Sequence, residues 1–229
     1  MNKANNYNPS IKDRYTDDYF ENRNLNCKKR LNQFKLDREL IHKYVRKGTI
    51  CDVGCGTGEF IKYLKWEGKI YGMEINDNAK KKAVDFISFE KNIFSEKNFF
   101  DLIIFRGTIQ HVDEPFRMIK NSFEALKENG YLIFLSTPNS DSVLYKIKKD
   151  LPNLNWKLNF YIPGEKDLKN TLRNFGFQIC HTEFPYFKTP YSSLFKDHLL
   201  FFLNLFSKKL YKHAFWGNSM NIVAKKIKS

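Results

Sequence analysis

Apolar positions along the chain fall into two alternating rhythms. Over residues 28–45, Leu31, Phe34, Leu36, Leu40, Ile41, Tyr44 and Val45 recur at roughly helical spacing, and Lys47-Gly48 ends the run. Residues 49–53 then read as a short buried strand, 54–58 as a tight glycine turn, and 59–66 as a helix stopped by Gly68. The same grammar continues. Strands are predicted at 70–75, 85–89, 100–105, 131–136, 177–184 and 220–224, and helices at 78–84, 115–128, 165–175 and 191–210. Asn129-Gly130 and Gly176 supply two of the helix stops. Leu102-Ile103-Ile104-Phe105 is apolar throughout, as suits a parallel strand covered on both faces. Alternating β and α units predict an α/β fold, a doubly wound, mostly parallel sheet of seven strands with helices on both sides.

Composition narrows the picture. With 229 residues, 42% hydrophobic and 16% aromatic, the chain can bury a proper core, which excludes a disordered tail and a disulfide-stapled miniprotein. Cys27, Cys51, Cys55 and Cys180 form no CxxC pair and have no histidine at zinc spacing, so no metal is expected. That cysteine usage, and the lack of an apolar leader in Met1-Asn2-Lys3-Ala4-Asn5-Asn6, predicts a reducing, cytoplasmic setting. The net charge of +14 could serve nucleic acid, anionic lipid or a phosphorylated substrate. The lysine clusters 80–82, 148–149, 208–209 and 225–226 are scattered, however, and read better as compositional bias than as a nucleic-acid footprint.

The most informative segment is Ile50-Cys51-Asp52-Val53-Gly54-Cys55-Gly56-Thr57-Gly58, where a strand becomes a helix. Ligands bind at that crevice of a doubly wound sheet. A phosphate-binding P-loop would end in Gly-Lys-Ser/Thr, but this turn ends Thr57-Gly58-Glu59. A dinucleotide fingerprint would need its third glycine at position 59, which is Glu59. Asp52 and Glu59 would repel a pyrophosphate yet tolerate an ammonium or a sulfonium. Glu74, at the end of the second strand, can accept hydrogen bonds from both hydroxyls of a ribose. The crevice therefore suits an adenosine without phosphates.

At these residues the chain resembles the class I S-adenosylmethionine-dependent methyltransferases, of the small-molecule type similar to the ubiquinone-biosynthesis group. Four blocks carry the resemblance: Cys51-Asp52-Val53-Gly54-Cys55-Gly56-Thr57-Gly58; Tyr71-Gly72-Met73-Glu74-Ile75; Phe100-Asp101-Leu102-Ile103-Ile104 with Gln110-His111-Val112-Asp113-Glu114-Pro115; and Leu126-Lys127-Glu128-Asn129-Gly130-Tyr131-Leu132-Ile133 with Thr137-Pro138-Asn139. The tail Phe215-Trp216-Gly217-Asn218-Ser219-Met220 is similar to a closing segment of this group. The resemblance implies a Rossmann-like domain over 46–229, preceded by an arm and helix over 1–45. Segments 140–164 and 186–219 would be substrate lids. It implies S-adenosylmethionine as cofactor, S-adenosylhomocysteine as product and no metal. Gly54, Cys55, Gly56 and Gly58 would line the methionine half and Asp52 would hold the amino group. Glu74 would bind the ribose, Ile75 would pack on adenine, and the Arg106 backbone would touch the methionine part. Asn92-Ile93 stands where the family often has an acid facing the adenine amino group.

For the chemistry, His111 follows the strand whose end faces the transferred methyl, and a neutral imidazole there could take a proton from a substrate hydroxyl. Asp101 begins a strand and reads as structural. His42, His181 and His213 read as isolated. Arg106-Gly107-Thr108-Ile109 replaces the Asn/Asp-Pro-Pro-aromatic block of nucleobase amino methylation, which disfavours that class. The expected acceptor is a small molecule, an oxygen of a sugar, nucleotide sugar or phosphorylated surface-polysaccharide precursor. Tyr15, Tyr19, Gln110, Trp156, Tyr161 and Trp216 are candidates to line its pocket. The alternatives are a quinone or lipid precursor, an RNA, or a silent partner subunit that only binds the cofactor. The apolar stretch 191–210 reads as a lid or homodimer contact ahead of a membrane-surface helix.

Overall fold

Alternate residues of the central strands face two different helix layers. The computed structural model describes residues 27–83, 85–152, 154, 159 and 161–227. Its six-stranded sheet is built from β1 (Lys47–Val53), β2 (Glu67–Met73), β3 (Phe100–Arg106), β4 (Leu126–Pro138), β5 (Phe177–Glu183) and β6 (Ser219–Lys226), in the order β2-β1-β3-β4-β6-β5. β2, β1, β3 and β4 run parallel, while β6 is antiparallel to both β4 and β5. Ile50, Leu102, Ile104, Ile133 and Val223 point to one face. There they meet α1 (Cys27–His42), α2 (Glu59–Leu64) and α3 (Asp77–Ala83) through Phe34, Ile41, Ile61, Leu64 and Ala83. Cys51, Val53, Ile103, Phe105, Leu132 and Phe134 point the other way, onto α4 (Pro115–Ala125) and α6 (Glu165–Asn174) through Met118, Ile119, Leu168 and Leu172. Burial on both faces explains why these strands are apolar without interruption.

The sequence predicts a seventh strand at 85–89. The segment does reach β2, with Ser88 N–H on Ile70 O and Gly72 N–H on Ser88 O, both 3.0 Å, but as a single bridge. Local bonds then turn it away: Glu90 N–H reaches Ser88 Oγ and Phe94 N–H reaches Asn92 Oδ1. The helix predicted at 115–128 ends at Ala125. The carbonyls of Glu124 and Ala125 accept the N–H groups of Asn98 and Phe99 just before β3, so the helical ladder cannot continue. Asn129, in the left-handed region at φ 63°, sits in an irregular stretch of β4 where the register with β3 shifts. Two elements were not anticipated: a 3-10 turn at Ile109–His111 and α5 (Val143–Lys148), capped by the Ser142 hydroxyl on Tyr145 N–H. The last helix is α7 (Leu194–Phe206).

Asp101 is structural, as read. It accepts from Thr49 N–H at 2.7 Å and pairs with Lys127 at 2.8 Å, at the end of the sheet remote from the glycine turn. No group of metal-ligating side chains occurs among the described residues, and no helix there is long and apolar enough to cross a membrane.

Candidate active site

The C-terminal ends of the four parallel strands open into one cavity of about 1100 Å³. The turn after β1 is tied to β2: Gly54 and Cys55 N–H both reach Met73 O, at 2.7 and 3.2 Å. Gly54 has φ +76°, and a Cβ there would lie 2.6 Å from Thr108 Cγ2, so no side chain fits. The next glycine, Gly56, donates its N–H to Glu74 Oε2 at 2.7 Å, and Ile75 and Asn76 N–H reach Glu74 Oε1 at 2.8 and 2.9 Å. Three backbone donors thus fix the Glu74 carboxylate at the cavity wall, with lone-pair capacity left for a ligand.

Ten of the predicted site residues line this cavity: Asp52, Gly54, Cys55, Gly56, Glu74, Ile75, Asn92, Arg106, Gln110 and His111. Cys55 is a packing residue whose thiol is pushed far up by burial. Asn92 Oδ1 already accepts Phe94 N–H, which leaves one lone pair and the amide hydrogens. Gly58 lies off the cavity, where its missing Cβ makes room for Phe86 and Ile87. Ile93 is in the core. Tyr161 lies in a separate niche against Phe116, and Trp216 is exposed on the surface. Tyr15, Tyr19 and Trp156 fall outside the described residues.

The floor of the donor end is electrostatic. Asp52 and Arg106 share a sheet face with Ile50 and Ile104, hence the α1 layer. Arg106 Nε donates to Asp37 Oδ2 at 2.8 Å, and its guanidinium lies over the rings of Phe34 and Phe60. Gln33 donates to Asp37 Oδ1 at 2.9 Å. Burial pushes Asp52 up to about 7; Arg106 pulls against this and Glu74 adds to it. Arg30 pairs with Glu59 at 2.7 Å, so α1 contributes Arg30 and Gln33 to the cavity wall. Helical spacing alone could not show which α1 residues meet the sheet's open edge.

Polar atoms buried without a partner are uncommon in folded proteins and point to a ligand or water when they cluster. Four residues of this wall have them: Asp52 (Oδ1), Gln110 (Oε1), His213 (Nε2) and Asn218 (both amide atoms). The Gln110 amide nitrogen reaches Gly107 O at 2.9 Å and lies 3.3 Å from His111 Nε2. With that amide donating, the His111 Nε2 lone pair is held towards Gln110. His213, which the sequence marks only as isolated, is buried with Nδ1 2.8 Å from Tyr211 O. Asn218 belongs to the closing segment noted in the sequence, and Asn139 anchors that segment by donating to Gly217 O at 2.9 Å. Both flanks of α7 line the cavity, through Pro185, Tyr186, Thr189 and Tyr191 before it and Lys212–Phe215 after it.

An adenosine bearing an ammonium and a sulfonium fits this wall. The anchored Glu74 carboxylate and the orphaned Asp52 oxygen offer acceptors at one end, and the glycine backbone leaves the space between them open. Comparison with known proteins agrees. A family model for a methyltransferase domain matches residues 19–182. An uncharacterized protein of Methanocaldococcus jannaschii is 26% identical over 176 residues, 64% of this chain and 68% of its own length. The mitochondrial ubiquinone biosynthesis O-methyltransferase of Saccharomyces cerevisiae is 28% identical over 109 residues, 42% of this chain and 35% of that enzyme. Among solved structures, an S-adenosylmethionine-dependent methyltransferase of Thermotoga maritima, described as a possible histamine N-methyltransferase, superposes with a TM-score of 0.60 at 19% identity, over 95% of this chain and 99% of that one.

Proposed function

The chain belongs to the methyltransferase-domain family, as a class I S-adenosylmethionine-dependent methyltransferase, and on that premise we propose that it methylates an oxygen of a small, hydroxyl-rich acceptor: a sugar, a nucleotide sugar or a phosphorylated surface-polysaccharide precursor. One observation carries this reading. The cavity that holds the Glu74 and glycine-turn end is also lined by Gln110, His213 and Asn218, which keep buried polar atoms without partners. A hydroxyl-bearing molecule would satisfy them, and Lys212 in the same wall suits a phosphate. The likeness to an O-methyltransferase supports oxygen as the accepting atom.

When bound, S-adenosylmethionine supplies a methyl carbon that is already electrophilic, so the protein's share is alignment and proton handling. Glu74 would take a ribose hydroxyl on the lone pair left at Oε2, the Gly54–Thr57 backbone the methionine half, and Asp52 the amino group. Ile75, exposed at the cavity edge, would cover one face of the adenine. His111 would accept the proton of the attacking hydroxyl at Nε2 once that hydroxyl takes the place of the Gln110 amide, which keeps Gly107 O as its partner.

A second reading has its own support. Leu151, Pro152, Leu154, Pro185 and Phe215 give part of the same wall an apolar lining that suits a quinone precursor. Titration calorimetry with S-adenosylhomocysteine, followed by a labelled-donor screen of sugar phosphates, nucleotide sugars, catechols and RNA, separates the cases. Label on a sugar oxygen supports the first reading, label on a catechol the second. Label on RNA alone, or product binding with no transfer, overturns both.

A further inference from the structure

α7 buries two polar side chains and leaves a row of large apolar ones in solvent. Its fully buried residues are Asp197 and Asn204, 3% and 0% exposed and two turns apart, and they share the inner face with half-buried Leu200 and Phe201, the latter stacked on Phe215. Asp197 accepts from Tyr186 O–H at 2.9 Å and from Ser193 N–H at 2.6 Å. Asn204 exchanges bonds with the Tyr211 backbone at 2.8 and 3.0 Å. The outer face is apolar. Phe195, Leu199, Phe202 and Phe206 stand in one row at helical spacing, and the three phenylalanines are 86%, 58% and 77% exposed. Exposed Leu194, Leu203 and Leu205 widen the patch, and α5, tied to α7 by a Lys148–Ser207 hydrogen bond, adds Val143 and Ile147 beside it. A contiguous apolar patch of this kind on a folded chain marks an interaction site.

Charge selects the occupant. Over residues 187–216 there are five lysines, 188, 196, 208, 209 and 212, all exposed, against one acid, the buried Asp197. A two-fold contact with a second copy would bring the same lysines face to face, which like-charge repulsion opposes. An anionic bilayer complements both features at once, since phenylalanines enter the acyl boundary while lysines meet the headgroups. Thirteen residues of helix can lie in that boundary and are too few to cross it.

We propose that α7 is a membrane-surface anchor that docks this protein, phenylalanines down, on anionic lipid. The segments flanking the helix are cavity wall, so docking would bring that wall near the lipid surface. The proposal does not depend on which acceptor is methylated.

Vesicle flotation of the full chain tests it. Protein should float with vesicles of phosphatidylcholine and phosphatidylglycerol, stay behind with phosphatidylcholine alone, and be released by high salt. The triple variant L199Q/F202S/F206S should lose flotation by tenfold or more while binding S-adenosylhomocysteine as the parent does, which verifies its fold. Failure of the parent to float on anionic vesicles overturns the proposal. So does a parent that sediments as a dimer and becomes monomeric in the triple variant, which would assign the face to a second copy.

Discussion

Arg106 Nε lies 2.8 Å from Asp37 Oδ2, tying the last residue of β3 to the middle of α1. Both side chains are largely out of water, and burial pushes the Asp37 carboxyl up despite the guanidinium beside it. Removing one partner strands the other. Arg106→Met should therefore cost about 3–5 kcal/mol of stability, and the double change with Asp37→Leu clearly less than the two single costs combined. Urea unfolding of the four proteins in the cycle measures this.

Asp52 makes cofactor binding depend on pH. In the free protein its carboxyl titrates near 7, because burial outweighs Arg106. A cationic amino group favours the carboxylate, so binding expels the proton. Affinity for S-adenosylhomocysteine should then rise with pH up to about 7, by at most tenfold per unit, and level off above it. Asp52→Asn should bind more weakly above pH 7 and lose the dependence. Stability moves oppositely. The folded carboxyl holds its proton more tightly than the unfolded one, so Asp52 costs stability increasingly from about 4 to 7, and Asp52→Asn should melt higher at alkaline pH. Calorimetry and thermal melts across that range check both signs.

Glu74 serves the protein before any ligand arrives, because it takes the N–H groups of Gly56, Ile75 and Asn76. Glu74→Gln puts an amide NH2 against one of those donors. The loss of charge-assisted bonds, each worth about 1.5–3 kcal/mol, should weaken S-adenosylhomocysteine binding by roughly 10- to 150-fold. Direct binding titration reads the loss, and a smaller drop than threefold would remove Glu74 from the cofactor site.

His111 predicts a different signature. His111→Ala should lower turnover by about 10²- to 10⁴-fold and leave S-adenosylhomocysteine affinity unchanged. Gln110→Leu should act on turnover in the same direction but less, since it removes only the group beside Nε2. Steady-state kinetics with the acceptor found by the screen, beside calorimetry, distinguishes the two effects.

What could be read in advance was local. The run Ile50–Val53 followed by glycines fixes a strand, a turn and the neighbourhood of a ligand, because each step depends on adjacent residues. Glu74 was legible for the same reason, as the first side chain after the next strand. Arg30, Gln33, His213 and Asn218 were not, since their place on the wall arises only when α1 and the 207–218 loop pack over the sheet's open edge. The exposed apolar face of α7 was half legible. The phenylalanine row could be counted, but that Asp197 and Asn204 turn inward depends on Tyr186, Ser193 and Tyr211 meeting them. The 85–89 strand shrank to one bridge because Ser88 and Asn92 bond within their own loop.

β6 lies between β4 and β5, with Leu132, Ile133 and Phe134 opposite Ala224, Val223 and Ile222. In order of synthesis it is the last strand of the sheet to leave the ribosome. Until then β5 has no neighbour, and one edge of β4 stays open along its most apolar stretch. A nascent chain stalled before Ser219 thus exposes an apolar strand edge that other chains can pair with, and completing β6 removes it.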